Sequence, residues 1–241
     1  MGAPETESAA FSRELAALKR RGCAVLVVDD RAHGSSAACE RLLGGDDLER
    51  RHVFLTTATP VDDLLGRRAA GAHDRDPATL GVVDATDAVP TRSAAAASPS
   101  TTAPTPAASE PATAARRWYD AVETLDDLAG LYALVEDHVR RVAGDDTDPG
   151  ELRFCLDALD PFLDAVDHEA LFRFVHLLTS TVRDVDGMGH VHTASDPRND
   201  PLATLEPLFD ATVRVDAGPD GVRQRWTLTD SGIETDWFPL D

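Results

Sequence analysis

Residues Ala24-Val25-Leu26-Val27-Val28-Asp29-Asp30-Arg31-Ala32-His33-Gly34-Ser35-Ser36, followed by Ala37-Ala38-Cys39-Glu40-Arg41-Leu42-Leu43, decide how this chain is read. The uninterrupted apolar run from Ala24 to Val28 describes a strand buried on both faces, as in a parallel sheet. The stretch Ser35–Leu43 has helical composition, and Gly44-Gly45 ends it. Strand, loop, glycine, small polar residue and helix form the layout of a phosphate-binding loop, whose working form reads G-x-x-x-x-G-K-[ST]. On that template Asp29 stands at the first glycine and Gly34 keeps the second, while Ser35 replaces the lysine and Ser36 keeps the hydroxyl. The frame is retained, and the cation that would hold the phosphates is not. A plainer reading of the same residues is a strand-to-helix turn in which Ser35 or Ser36 caps the helix.

Outward from this loop the pattern repeats. Upstream, Phe11, Leu15 and Leu18 share one helical face, and Gly22 fits as the stop. Downstream, Val53–Thr56 reads as a second strand, Pro60 precedes a helix carrying Val61, Leu64 and Leu65, and Leu80–Asp84 is a third strand. From Ser93 to Ala115 the chain is Ala, Ser, Thr and Pro with Glu110 as its one charge. Such a composition cannot offset the entropy of ordering, so this segment is expected to be a disordered insertion. Beyond it, Trp118, Val122, Leu125, Tyr132, Val135, Val139 and Val142 suggest one long amphipathic helix. Leu152–Asp157 is a strand ending in an acid. Asp160 before Pro161 and Asp167 before Leu171 are candidate helix caps. Gly187–Thr193 is a further strand. Leu208–Val215 and Val222–Leu228 flank a Gly-Pro-Asp-Gly turn and read as a hairpin, with Ile233–Phe238 as a last strand. Strands alternating with helices predict a doubly wound α/β fold with a mainly parallel sheet and a C-terminal antiparallel hairpin. Because neither side of the insertion supplies a complete sheet, residues 1–241 are expected to form a single domain interrupted at 93–115.

Charge restricts the function. The net charge is −20, and Lys19 is the only lysine among the 23 basic residues. Acid excess with arginine in place of lysine points to a salt-rich cytoplasm, where screening tolerates the self-repulsion. No basic stripe is present to neutralise phosphates, so nucleic acid is not an expected partner. Neither is a membrane, because no apolar run reaches the roughly 18 residues of a spanning helix. Met1–Glu7 is acidic and polar, which argues against a Sec-type signal peptide and for a cytoplasmic protein. Cys23, Cys39 and Cys155 lie in apolar surroundings and read as small core residues of a reducing compartment.

The order of these elements resembles that of RecA/KaiC-like ATPase cores, in particular the shortened KaiC-related proteins of haloarchaea described as HTR-like or signal-transduction ATPase relatives. The likeness rests on the loop after Val28, on Leu152–Asp157 where such proteins place the Walker B carboxylate, and on the segment through Phe172-Arg173-Phe174-Val175-His176 to Pro207-Leu208-Phe209-Asp210. It implies a nucleotide site at Gly34, Ser35, Ser36 and Asp157, with ATP and Mg²⁺ as ligands. The departures imply its loss. Ser35 carries no charge, Asp29 and Asp30 repel a polyphosphate, and Ala158 stands where a second acid would neighbour Asp157. The expectation is therefore a non-catalytic regulatory or signalling module without a cofactor, acting through a protein partner or self-association. The alternative is an ATP-binding sensor or weak ATPase with an altered loop.

Other motifs are weaker. His190 and His192 form H-x-H on one face of a strand and could ligate a metal. No third ligand stands at a recognisable spacing, so they are read as a satisfied or partly exposed pair, with no metal site. His33 lies in the loop and could meet an anion. Trp226, Trp237 and Phe238 are read as hairpin packing or, if exposed, a partner surface.

Overall fold

The computed structural model describes residues 3–29, 34–45, 50–66, 75–89, 117–196, 201–219 and 221–240. The expected insertion at 93–115 lies outside them. The elements are α1 (Ala3–Arg20), β1 (Cys23–Val28), α2 (Ser35–Leu43), β2 (Arg51–Thr56), α3 (Val61–Leu65), β3 (Leu80–Asp84), β4 (Tyr119–Ala121), α4 (Leu128–Ala143), β5 (Leu152–Leu156), α5 (Asp160–Ala165), α6 (His168–Asp184), β6 (Met188–Thr193), α7 (Leu202–Leu205), β7 (Ala211–Gly218), β8 (Gly221–Leu228) and β9 (Phe238–Pro239). The strands form one sheet in the order β4-β3-β2-β5-β6-β1-β7-β8-β9. Every pairing from β4 to β7 is parallel, and β7-β8-β9 are antiparallel. Strands from both sides of the 93–115 segment therefore interleave in a single mixed α/β sheet.

Alternation along each strand divides the core between two faces. Ala24, Leu26 and Val28 of β1 join Phe154 and Leu156 of β5 in a cluster with α4 and α6, where Val135, Val139, Phe174 and Leu178 are almost fully buried. On the other face Val25 and Val27 meet Leu18 of α1, while Phe54, Val82 and Cys155 meet Cys39 and Leu43 of α2 and Leu64 of α3. The chain from β1 to β2 passes over two intervening strands, so α2 lies across β5 and β6. That crossing carries the residue after the loop, and everything behind it, over the middle of the sheet.

Several element ends have clear local causes. Gly22 stops α1 at φ +73°, and a Cβ there would stand 3.0 Å from the Arg183 backbone, so both conformation and space demand glycine. Asp167 starts α6 as expected, its carboxylate accepting the amides of Glu169 at 2.9 Å and Ala170 at 3.3 Å. The Asp160 cap is corrected. Leu159 is the N-cap residue of α5, and the Asp160 carboxylate instead accepts Thr193 Oγ1, the Ala194 amide and Ser195 Oγ across the sheet edge.

Two more boundaries differ from the periodicity. The long helix begins at Leu128, where Asp127 accepts the Gly130 amide at 2.9 Å, and not at Trp118. Tyr119–Ala121 is an edge strand, held by the Tyr119 hydroxyl on Asp84 and by His138 on Asp120. The final strand shrinks to Phe238–Pro239. The preceding residues stay beside β8 through an isolated bridge at Thr227–Glu234 and the Thr235 amide on the Trp226 carbonyl, supplemented by the Thr235 hydroxyl accepting the Trp226 amide and by Arg225 donating to the Thr235 carbonyl. Trp226 is buried, whereas Trp237 is 40% exposed with Arg223 over its ring. Among the described residues no helix is long and apolar enough to cross a membrane.

Replacing Asp167 with Ala leaves two first-turn amides of α6 without their acceptor. The expected cost is about 1 kcal/mol, read as a lower urea midpoint at unchanged slope.

Candidate functional site

In open α/β sheets, ligands bind at the carboxyl ends of the strands. Here that edge collects Asp29 after β1, Thr56 and Thr57 at the end of β2, Asp157 after β5 and Thr193 of β6. Asp29 is only 2% exposed, and its amide donates to the Thr193 carbonyl at 3.0 Å. Its carboxylate accepts the Gly34 amide at 2.7 Å. In a phosphate-binding loop, backbone amides of this kind face the anion; in this chain an internal carboxylate takes one of them. Asp30–His33 lie outside the described residues, as does the Ser35 side chain. Ser36 is exposed. The serine cap is corrected: the N-cap residue of α2 is Gly34, with no side-chain cap bond.

Gly34 itself has φ −110° and ψ −10°, values open to any residue. The need for glycine is steric. A Cβ at this position would stand 2.3 Å from Val215 Cγ1 and 3.2 Å from Val222 Cγ1. The hairpin β7-β8 therefore closes against the loop, using the space that a missing side chain leaves.

Asp157 is separated from β1 by one strand, about 10 Å at ordinary strand spacing. Its Oδ1 accepts the Thr57 amide at 2.7 Å, and Oδ2 accepts the Thr59 amide at 2.6 Å and the Ala58 amide at 3.2 Å. The hydroxyls of Thr56 and Thr57 also lie 2.9 and 3.3 Å from it, although each is nearer a backbone carbonyl, of Thr59 and Ala158 respectively. Three amides of the β2–α3 turn thus converge on this one carboxylate. The structure shows it capping the turn of the neighbouring strand.

A second constellation lies beneath α2. His190 and His192 of β6 point to the same face and are 2% and 4% exposed. Cys155 stands opposite His190 in the β5–β6 register, and Cys39 descends from α2. Cys39 Sγ is 3.7 Å from Cys155 Sγ and 3.5 Å from His190 Nε2, and one donor atom from each of the four residues lies within 4.8 Å of all the others. The two imidazole rings meet edge to face at 5.1 Å. Neither nitrogen of His192 makes a hydrogen bond. The Cys39 thiol is held well below its ordinary range, chiefly by Cys155 and further by the imidazoles, against the opposing effect of burial. Burial also pushes His190 down, toward the neutral ring. Cys23, outside the cluster, is pushed up to about 12 by burial and by Asp210. The H-x-H pair was legible from sequence, and its two thiol neighbours were not.

Residues 22–215 match a family described as a Family of unknown function (DUF7504). The match spans more than half of the sequence, and the chain belongs to this family. The search of curated proteins finds no match.

The Gly34 contact gives a direct test. Gly34→Ala is expected to destabilise the fold by about 1–3 kcal/mol through overpacking. Val215→Ala in the same chain should recover most of that loss. A double-mutant cycle by urea unfolding measures the coupling; additive costs would show that the glycine serves something other than this contact.

Proposed function

We propose that this chain is a non-catalytic, KaiC/RecA-like regulatory or signalling module of a haloarchaeal cytoplasm that works through contacts with a protein partner or with itself. The observation that carries this reading is the internal use of the ligand-facing groups. Asp29 takes the Gly34 amide, and Asp157 is spent on the amides of residues 57–59. A polyphosphate approaching this edge would meet a buried carboxylate in place of an open amide, without a lysine to offset the repulsion. The element order that carries the resemblance supports the RecA-like part of the proposal: a helix before β1, a loop and helix after it, an acid at the end of β5, and a terminal hairpin.

The surface supports the interaction part. Phe172 and Leu177 on α6 are 39% and 43% exposed. Leu177 also borders a cleft of about 590 Å³ lined by Leu128, Tyr132 and Phe174. Large apolar side chains beside a cleft are a common feature of contact surfaces. With a net charge of −20, such a module stays dispersed until a matching apolar surface offsets the repulsion.

Thermal unfolding in multimolar KCl with rising ATP·Mg²⁺ separates this reading from a nucleotide sensor. A ligand present at about 100 times its Kd adds about 2.7 kcal/mol of stability. The expected result is an unchanged melting temperature up to millimolar ATP. A concentration-dependent rise would overturn the inert-loop reading in favour of an ATP-binding protein.

A further inference from the structure

We infer that Cys39, Cys155, His190 and His192 form a structural zinc site that ties α2 to the centre of the sheet. The donor set is that of a closed tetrahedral site, with sulfur and imidazole ligands and no position left for water. Its dimensions also agree. With Zn–S of about 2.3 Å and Zn–N of about 2.05 Å, the edges of a regular tetrahedron are about 3.8 Å between sulfurs and about 3.6 Å between sulfur and nitrogen. The structure has 3.7 Å for Cys39 Sγ to Cys155 Sγ and 3.5 Å for Cys39 Sγ to His190 Nε2. The remaining separations are all within 4.8 Å, so binding would draw the four donors inward by about 1 Å at most pairs to reach tetrahedral edges. His192 is 4% exposed and neither of its nitrogens is hydrogen-bonded. The neighbouring Cys39 thiol is a weak partner for a buried imidazole, and coordination would supply a strong one.

Charge balance favours the same occupant. Zn²⁺ binding two thiols releases two protons to solvent, and the two neutral imidazoles contribute lone pairs without losing a proton. The product, Zn(S–Cys)₂(N–His)₂, carries no net charge. That suits a site in contact with Phe54, Leu43 and Leu64, where an isolated ion would be strongly disfavoured. Thiolate and imidazole donors in a tetrahedral array select zinc over the harder magnesium and calcium. All four residues lie outside the loop-and-acid edge, so the site stands whether or not that edge binds a nucleotide.

The test uses the full chain. Protein expressed with added zinc is analysed for metal by mass spectrometry. A second preparation is unfolded with chelator and refolded anaerobically with Co²⁺. The expected results are equimolar zinc and, for cobalt, a thiolate-to-metal charge-transfer band with the visible bands of a tetrahedral ion. The charge-transfer band should fall to about half or less in Cys39→Ser, the visible bands should shift and the metal be held more weakly in His192→Gln, and both signatures should persist unchanged in Cys23→Ser, whose thiol lies outside the cluster. Strongly substoichiometric metal in both preparations would overturn the site, as would a Cys39–Cys155 disulfide in the zinc-expressed protein. So would a cobalt spectrum without charge transfer, or one that His192→Gln leaves unchanged. Should Cys39→Ser fail to fold, His192→Gln and the cobalt spectrum of the unaltered chain decide the matter alone.

Discussion

Carboxylates that accept backbone amides hold together the edge at which this fold would otherwise receive a ligand. Asp157 is the central case, drawing the amides of Thr57, Ala58 and Thr59 onto one side chain. This turn joins β2 to α3, so a residue at the end of β5 sets the exit of a strand that precedes it by about a hundred positions. Asp160 does the same for the residues that follow β6, and Asp29 accepts the Gly34 amide at the start of α2. Bonds of this type are charge-assisted and stronger than neutral ones. Among the described residues, this edge is thus held by the chain's own carboxylates.

The topology explains why that order can be maintained. The β1–α2–β2 connection spans two strands, which sets α2 over β5 and β6 and leaves Gly34 facing the hairpin. On this face the helix meets Phe54, Leu80 and Val82 through Leu43, and the Cys/His cluster through Cys39. One helix thus joins the loop region, the apolar core and the only group of four metal-type donors among the described residues.

Legibility from sequence followed the range of the interaction. The buried run of β1, the glycine stops and the Asp167 cap are local, and each could be read from a few neighbouring residues. The strand Tyr119–Ala121 was hidden because its apolar neighbours continue the spacing of α4, and long-range contacts mark it as separate: the parallel pairing with β3 and the bonds to Asp84 and His138. Asp157 was visible as an acid at a strand end, yet its partners belong to β2. The thiol–imidazole cluster was the least legible feature. Cys39 and His190 are 151 residues apart, and their meeting depends on the β5–β6 register together with the path of α2. The available signal was the H-x-H itself, on a strand the structure shows to be buried along its whole length, where two imidazoles have no solvent to satisfy them.

The contact between Gly34 and the hairpin has a further consequence for anyone wishing to build a phosphate site into this scaffold. Restoring a lysine at position 35 supplies charge but no cavity. The Asp29 carboxylate still lies on the Gly34 amide, and Val215 and Val222 still fill the space above the glycine. Removing Asp29 alone opens an amide beneath an apolar lid, and trimming the valines alone exposes a carboxylate. Each single step leaves a defect without yielding a binding site. A phosphate site at this position therefore requires position 35, the carboxylate and the valines to be changed together.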